Sequence, residues 1–181
     1  MRRVNSILTI IMFILFTVHM VSGAFILLGI VPGGNEILAV VSFAFALILV
    51  IHALIGVKLT IDSLIACKRS GASYFKENRR FWAARISGFA IMLFVFSHMS
   101  SLGAKVTDGV PLLERFGVSE LVLELLFVLS IAVHVILNVK PQLISLGFKG
   151  VKEYAIDILF VLSVLLLFAG AAFVVYYFRW L

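Results

Sequence analysis

The chain has 181 residues, 63% of them hydrophobic and only 13% charged, a balance that leaves too little polar surface for a soluble domain of this size. Its formal net charge is +6, but the cations lie beside apolar runs, so the charge reads as membrane topology and implies no nucleic-acid partner. A single cysteine, Cys67, near the inner end of the second run, excludes an internal disulfide and an iron–sulfur cluster held by this chain.

Five apolar runs follow one another, each about 20 residues or more, the length an α-helix needs to cross a hydrocarbon core of about 30 Å. They span about Ile7 to Ile30, Ile37 to Val57 with an amphipathic tail to Ala66, Ala84 to Ala104, Val118 to Val139, and Tyr154 to Phe178. Lipid offers no partner to an open sheet or a bare loop, so the expected class is all-α, a single five-helix bundle over residues 1–181. Arg2 and Arg3 precede the first run as they would a signal peptide. That run is too long for such a segment, and Pro32-Gly33-Gly34 is not a small-residue cleavage site, so it is read as retained.

If the helices alternate, twelve cations fall on one side: Arg2, Arg3, Lys58, Lys68, Arg69, Lys76, Arg79, Arg80, Arg85, Lys140, Lys149 and Lys152. Three, Lys105, Arg115 and Arg179, fall on the other. Cytoplasmic loops carry the excess of Lys and Arg, so the N-terminus is expected in the cytoplasm and the C-terminus outside. The basic face suits anionic lipid or an acidic partner. The connections are short and contain no Gly-rich nucleotide loop, which leaves no room for a flavin or nucleotide site.

The four histidines, His19, His52, His98 and His134, lie one in each of the first four runs and none in the fifth or in any loop. One such residue has a plain explanation, a neutral imidazole bonded to a neighbouring backbone; four in this distribution point to function. His19 and His98 each lie roughly 20 Å along helices that run outward. His52 and His134 each precede a lysine, Lys58 and Lys140, by six residues, about 9 Å along helices that run inward. The histidines therefore fall into two layers, His19 with His98 and His52 with His134. Two imidazoles at one depth on facing helices suit the two faces of a flat macrocycle, whereas a lone zinc ion wants three or four ligands close together. Two layers give two haems stacked across the membrane, and without a Cys-x-x-Cys-His motif these are not of the c type.

A weak internal repeat supports the pairing. His19-Met20-Val21-Ser22 is similar to His98-Met99-Ser100-Ser101, and the stretch from His52 to Lys58 is similar to that from His134 to Lys140. Lys58 and Lys140 are either interfacial anchors or contacts for the propionates of the inner haem. Gly56, Gly88 and Ser22-Gly23 either make room for a macrocycle or simply pack helices.

Five membrane helices with a histidine in each of the first four, and the His-x-x-x-Gly-Val-Lys stretch from His52 to Lys58, resemble the dihaem cytochrome b anchor subunit of the succinate dehydrogenase and fumarate reductase (succinate:quinone oxidoreductase) family. The resemblance implies two haems b, the outer held by His19 and His98 and the inner by His52 and His134. It also implies a quinone substrate, with menaquinone the expected type, flavoprotein and iron–sulfur partner subunits, and a bacterial or archaeal cytoplasmic membrane. The chain is short for that family, and Ala132 stands where a carboxylate near the fourth histidine is expected. Quinol chemistry needs a proton acceptor near an interface; the outer carboxylates are Glu36, Asp108, Glu114, Glu120 and Glu124, of which Glu36, Glu120 and Glu124 are the quinone candidates. Glu36 also reads as a start-of-helix charge, and Glu124 lies about 80° off the His134 face. Two alternatives stay open: a quinol-oxidising cytochrome b feeding an extracytoplasmic flavoprotein reductase, and a haem-free transporter or assembly protein.

Overall fold

The computed structural model describes residues 1–71, 78–102, 105–107, 110–112 and 116–179. Five long helices occupy most of them: α1 (Arg2–Leu27), α2 (Glu36–Ser70), α3 (Arg79–Leu102), α4 (Val118–Leu146) and α5 (Val151–Phe178). The shortest has 24 residues, about 36 Å at 1.5 Å per residue, enough to cross a bilayer core. All five are long and apolar enough to do so, and the chain is all-α in architecture, consistent with a multi-pass membrane protein. Large apolar side chains such as Ile37, Phe43, Leu54, Phe96, Phe160 and Leu167 lie on the outside, where lipid would solvate them. Between α3 and α4 a two-stranded antiparallel ribbon, β1 (Lys105–Thr107) and β2 (Val110–Leu112), pairs Lys105 with Leu112; the sequence pattern did not announce it. Asp108, Glu114, Lys76 and Arg115 lie outside the described residues.

The helix ends follow from local chemistry. Asn35 caps α2, its Oδ1 accepting from the amides of Ile37 at 2.9 Å and Leu38 at 3.2 Å. At its other end Gly71 takes the left-handed conformation at φ 67°, with Lys68 and Arg69 in the last turn beside the negative end of the helix dipole. Helix α4 departs from the expectation that it ends at Val139, before Lys140-Pro141: it runs through Pro141 to Leu146. A proline there has no N–H to give the carbonyl four residues back. That carbonyl belongs to Leu137, and Arg80 of α3 supplies the missing donors, Nη2 at 3.2 Å and Nε at 3.4 Å. A comparable repair closes α1, whose last carbonyls, on Leu27 and Leu28, accept from the Arg179 guanidinium at the end of α5.

These contacts fix how the helices run. The start of α1 meets the end of α4, through Ser6 Oγ to Ser145 Oγ at 2.8 Å and Gln142 Nε2 to the Ser6 carbonyl at 2.6 Å. The start of α3 also lies beside the end of α4, and the ends of α1 and α5 meet at the opposite end of the bundle. There Leu27, Phe116, Phe173 and Tyr176 form a buried cluster, with the Phe116 and Phe173 rings stacked at 6.4 Å and Tyr176 edge-on to Phe116 at 5.2 Å. Backbones pack closely between α3 and α4, α4 and α5, α1 and α2, and α1 and α5. Helices α1 and α3 are not closely packed against each other, nor are α2 and α4. They face one another across the interior.

Candidate functional site

Two of the helix pairs whose backbones are not closely packed, α1 with α3 and α2 with α4, carry the histidines at matching depths. His19 of α1 meets His98 of α3, ring centroids 6.1 Å apart and planes at 71°. His52 of α2 meets His134 of α4 at 6.4 Å and 85°. Among the described residues no group of three or more His, Cys, Asp or Glu side chains is arranged to hold a metal ion. The histidines thus stand as two pairs.

Each ring is oriented by a side chain from a neighbouring helix. His19 Nδ1 lies 2.8 Å from Ser42 Oγ of α2, and His52 Nδ1 lies 3.4 Å from Thr9 Oγ1 of α1, a longer and weaker contact. His134 Nδ1 lies 3.2 Å from Ser87 Oγ of α3, and His98 Nδ1 lies 3.0 Å from Glu124 Oε2 of α4. Partnership is therefore reciprocal within α1–α2 and within α3–α4: each helix holds the histidine of the other.

The hydroxyls can serve the rings as acceptors. Each has one hydrogen to donate, and each donates it to its own helix. Ser42 bonds the Leu38 carbonyl at 2.8 Å, Thr9 that of Asn5 at 2.9 Å and Ser87 that of Ala84 at 3.1 Å. Each of these oxygens can therefore accept from a ring that carries its proton on Nδ1, and Glu124 Oε2 can accept from His98 in the same way. Among the described residues no side chain bonds an Nε2.

Aromatic walls complete the site. Phe45 lies 5.7 Å from His19, and Phe127 and Phe173 lie 5.5 and 6.3 Å from His98. Helix α5, which has no histidine, thus contributes a wall through Phe173. On the other layer Gly88 is the close neighbour of His134: a Cβ there would stand 3.1 Å from Cε1 and 3.3 Å from Nδ1.

The remaining predicted residues fall in several places. Lys58 is half exposed and pairs with Asp62 on its own helix at 3.1 Å. Lys140 borders an open groove with Val151, Lys152, Ala155, Ile156 and Leu159. Glu36 stands exposed in the first turn of α2. Glu120 closes its own helix start, accepting from the Gly117 amide and the Ser119 hydroxyl, both at 2.9 Å. Glu124 is buried, 1% exposed, with Oε2 on His98 and Oε1 lacking a hydrogen-bond partner. Sequence reasoning missed the three hydroxyls and Arg85. Arg85 reaches within 4.0 Å of a Cβ placed on Gly56 and lies within electrostatic range of both His52 and His134. Its guanidinium also sits over the Phe81 ring, 4.9 Å from the centroid.

The residues fit a bis-imidazole iron site in three respects. Two metal–nitrogen bonds of about 2 Å plus the ring radius on each side place paired imidazole centroids roughly 6 Å apart. Nδ1–H held by an oxygen is the usual outer partnership of a metal-ligating histidine. Helices without close backbone packing, whose imidazoles meet between them, suit a broad planar group. No family model matches the chain, and no curated protein and no solved structure matches it.

Proposed function

We propose that the chain is a membrane-anchoring dihaem cytochrome b subunit that passes electrons between the quinone pool and a flavin- and iron–sulfur-bearing partner of the fumarate reductase or succinate dehydrogenase kind. The observation that carries the reading is the arrangement of the four histidines: two facing pairs, each ring with its Nδ1 against an oxygen of a neighbouring helix. His19 and His98 would hold one haem b, and His52 and His134 the other. Bound haem iron supplies reversible one-electron chemistry. Ser42, Thr9, Ser87 and Glu124 keep the tautomers and ring orientations ready, and Phe45, Phe127 and Phe173 keep the His19–His98 layer apolar.

The distribution of cations puts the start of α1 and the end of α4 in the cytoplasm, making His52–His134 the inner layer and His19–His98 the outer. The basic inner face then receives the partner enzyme. Arg85, beside the inner pair, joins Lys58 and Lys140 as a candidate for the haem propionates. Quinone exchange, with menaquinone the expected substrate, belongs to the outer end, where Glu124 is the candidate carboxylate in contact with a histidine; Glu36 and Glu120 sit at the helix starts on that end.

The test is a dithionite-reduced minus oxidised spectrum of the purified protein, expressed with adequate haem supply. A b-type α-band is expected. Protein without haem would return the histidines to transport or to helix packing.

A further inference from the structure

Helices α4 and α5 are joined by the short turn at 147–150 and pack against each other, yet beside that turn they leave a groove open along one side. Lys140 of α4 lines it together with Val151, Lys152, Ala155, Ile156 and Leu159 of α5. Its volume is about 420 Å³, within the range of sites that hold small organic ligands. From Val151 to Leu159 the wall runs roughly 12 Å along α5. Two cations thus stand in a lining that is otherwise apolar. Six residues at 100° each turn Lys140 about 120° around α4 from His134, so it does not share the face that meets α2. Helix α4 ends at Leu146, about 9 Å beyond Lys140, so this lysine is rooted within the helix and not at its tip.

No acid answers either cation: among the described residues neither Lys140 nor Lys152 forms an ion pair. The carboxylates of α5, Glu153 and Asp157, each follow a groove residue by one position, about 100° around the helix, and lie outside the lining. Lys149, exposed in the turn, adds a third positive charge nearby. A cation rooted in the apolar part of a membrane helix is costly unless an anion meets it. The anion here must come from outside, and it must tolerate an apolar wall. A phospholipid has both parts, a phosphate for the lysines and an acyl chain for the wall.

We infer that the groove between α4 and α5 binds one phospholipid of net negative headgroup, its phosphate at Lys140 and Lys152 and an acyl chain along Ala155, Ile156 and Leu159. A zwitterionic headgroup would bring its own amine against two lysines, which sets the preference. The distribution of cations puts this end of the bundle in the cytoplasm, so the lipid belongs to the inner leaflet. The inference does not rest on the dihaem reading; it narrows the propionate candidates to Lys58 and Arg85.

The experiment is native mass spectrometry of the purified, delipidated full-length protein, titrated in detergent with phosphatidylglycerol or with phosphatidylcholine of the same acyl chains. One phosphatidylglycerol should be retained in preference to phosphatidylcholine. Lys140→Gln and Lys152→Gln should each weaken its binding about five-fold, the share of one cation beside an anionic membrane, and Lys140→Arg should keep it. Lys68→Gln, at the exposed end of α2, should leave it unchanged. Ala155→Trp, which fills the groove and keeps both lysines, should weaken it as well; if that variant fails to fold, the two lysine variants decide the question. Equal retention of the two lipids, an equal loss in Lys68→Gln, or unchanged binding in Ala155→Trp would overturn the inference. So would a second copy of the chain held in place of the lipid, seen as a dimer that Ala155→Trp abolishes.

Discussion

At the scale of single residues the site depends on hydroxyl oxygens whose own protons are already committed to their helices. This makes them acceptors, and it makes their removal costly in a specific way: the imidazole survives but loses the constraint on its tautomer and ring angle. Replacing Ser87 by Ala should cost roughly ten-fold in retention of the haem of the His52–His134 layer, the lower end of what outer partners of metal ligands contribute, and should leave the other layer intact. Haem content after dilution into apo-myoglobin measures it. Gly88→Ala acts by crowding instead. The new Cβ would stand 3.1 Å from His134 Cε1, so the ring must give by a few tenths of an ångström, and the same layer should lose haem while the other keeps it. Little of this was legible in the sequence. The histidines and their depths are visible one helix at a time. The partners belong to neighbouring helices, and a helical wheel of α4 gives the offset of Glu124 from His134 but says nothing of His98 on α3.

At the scale of elements, two arginines that the sequence presents as topology charges are helix-end chemistry as well. Arg80 donates to the carbonyl that Pro141 leaves bare, which is why α4 runs seven residues beyond Val139. Arg80→Met should lower stability by about 0.5–1.5 kcal/mol, the net range of an ordinary hydrogen bond. Combined with Pro141→Ala, which restores the backbone donor, the loss should shrink. Thermal unfolding of the four proteins in detergent micelles gives the cycle. Arg179 closes α1 from α5, and Arg179→Ala should speed hydrogen exchange at Gly29, Ile30 and Val31 without disturbing the α3–α4 contact. The apolar lengths could be read directly from the chain, whereas the caps at Asn35 and Gly71 came only with the structure. The continuation through Pro141 could not be read there either, since it depends on Arg80, 57 positions before the Leu137 carbonyl it serves.

At the scale of the whole molecule, four helices pair diagonally through histidines while their backbones pack with other neighbours, and the fifth closes one side against α1 and α4. The pattern of one histidine per helix, the two depths and the internal repeat anticipate which histidines meet. The arrangement of neighbours, and the placing of Arg85 near both His52 and His134, appear only once the helices are assembled. Sidedness can be tested with single cysteines placed at Lys149 and Ser119 in a Cys67→Ser background. An impermeant maleimide added to intact cells should label the Ser119 position and reach the Lys149 position only after permeabilisation. Whether the histidines act as two ligand pairs is answered by a pyridine haemochrome count on wild type, His52→Ala, His134→Ala and the double variant. Two haems in wild type and one in each of the three variants is the predicted result, since either imidazole removes the same group. A double variant that loses both haems while each single variant loses one, or a wild type that binds none, would contradict it.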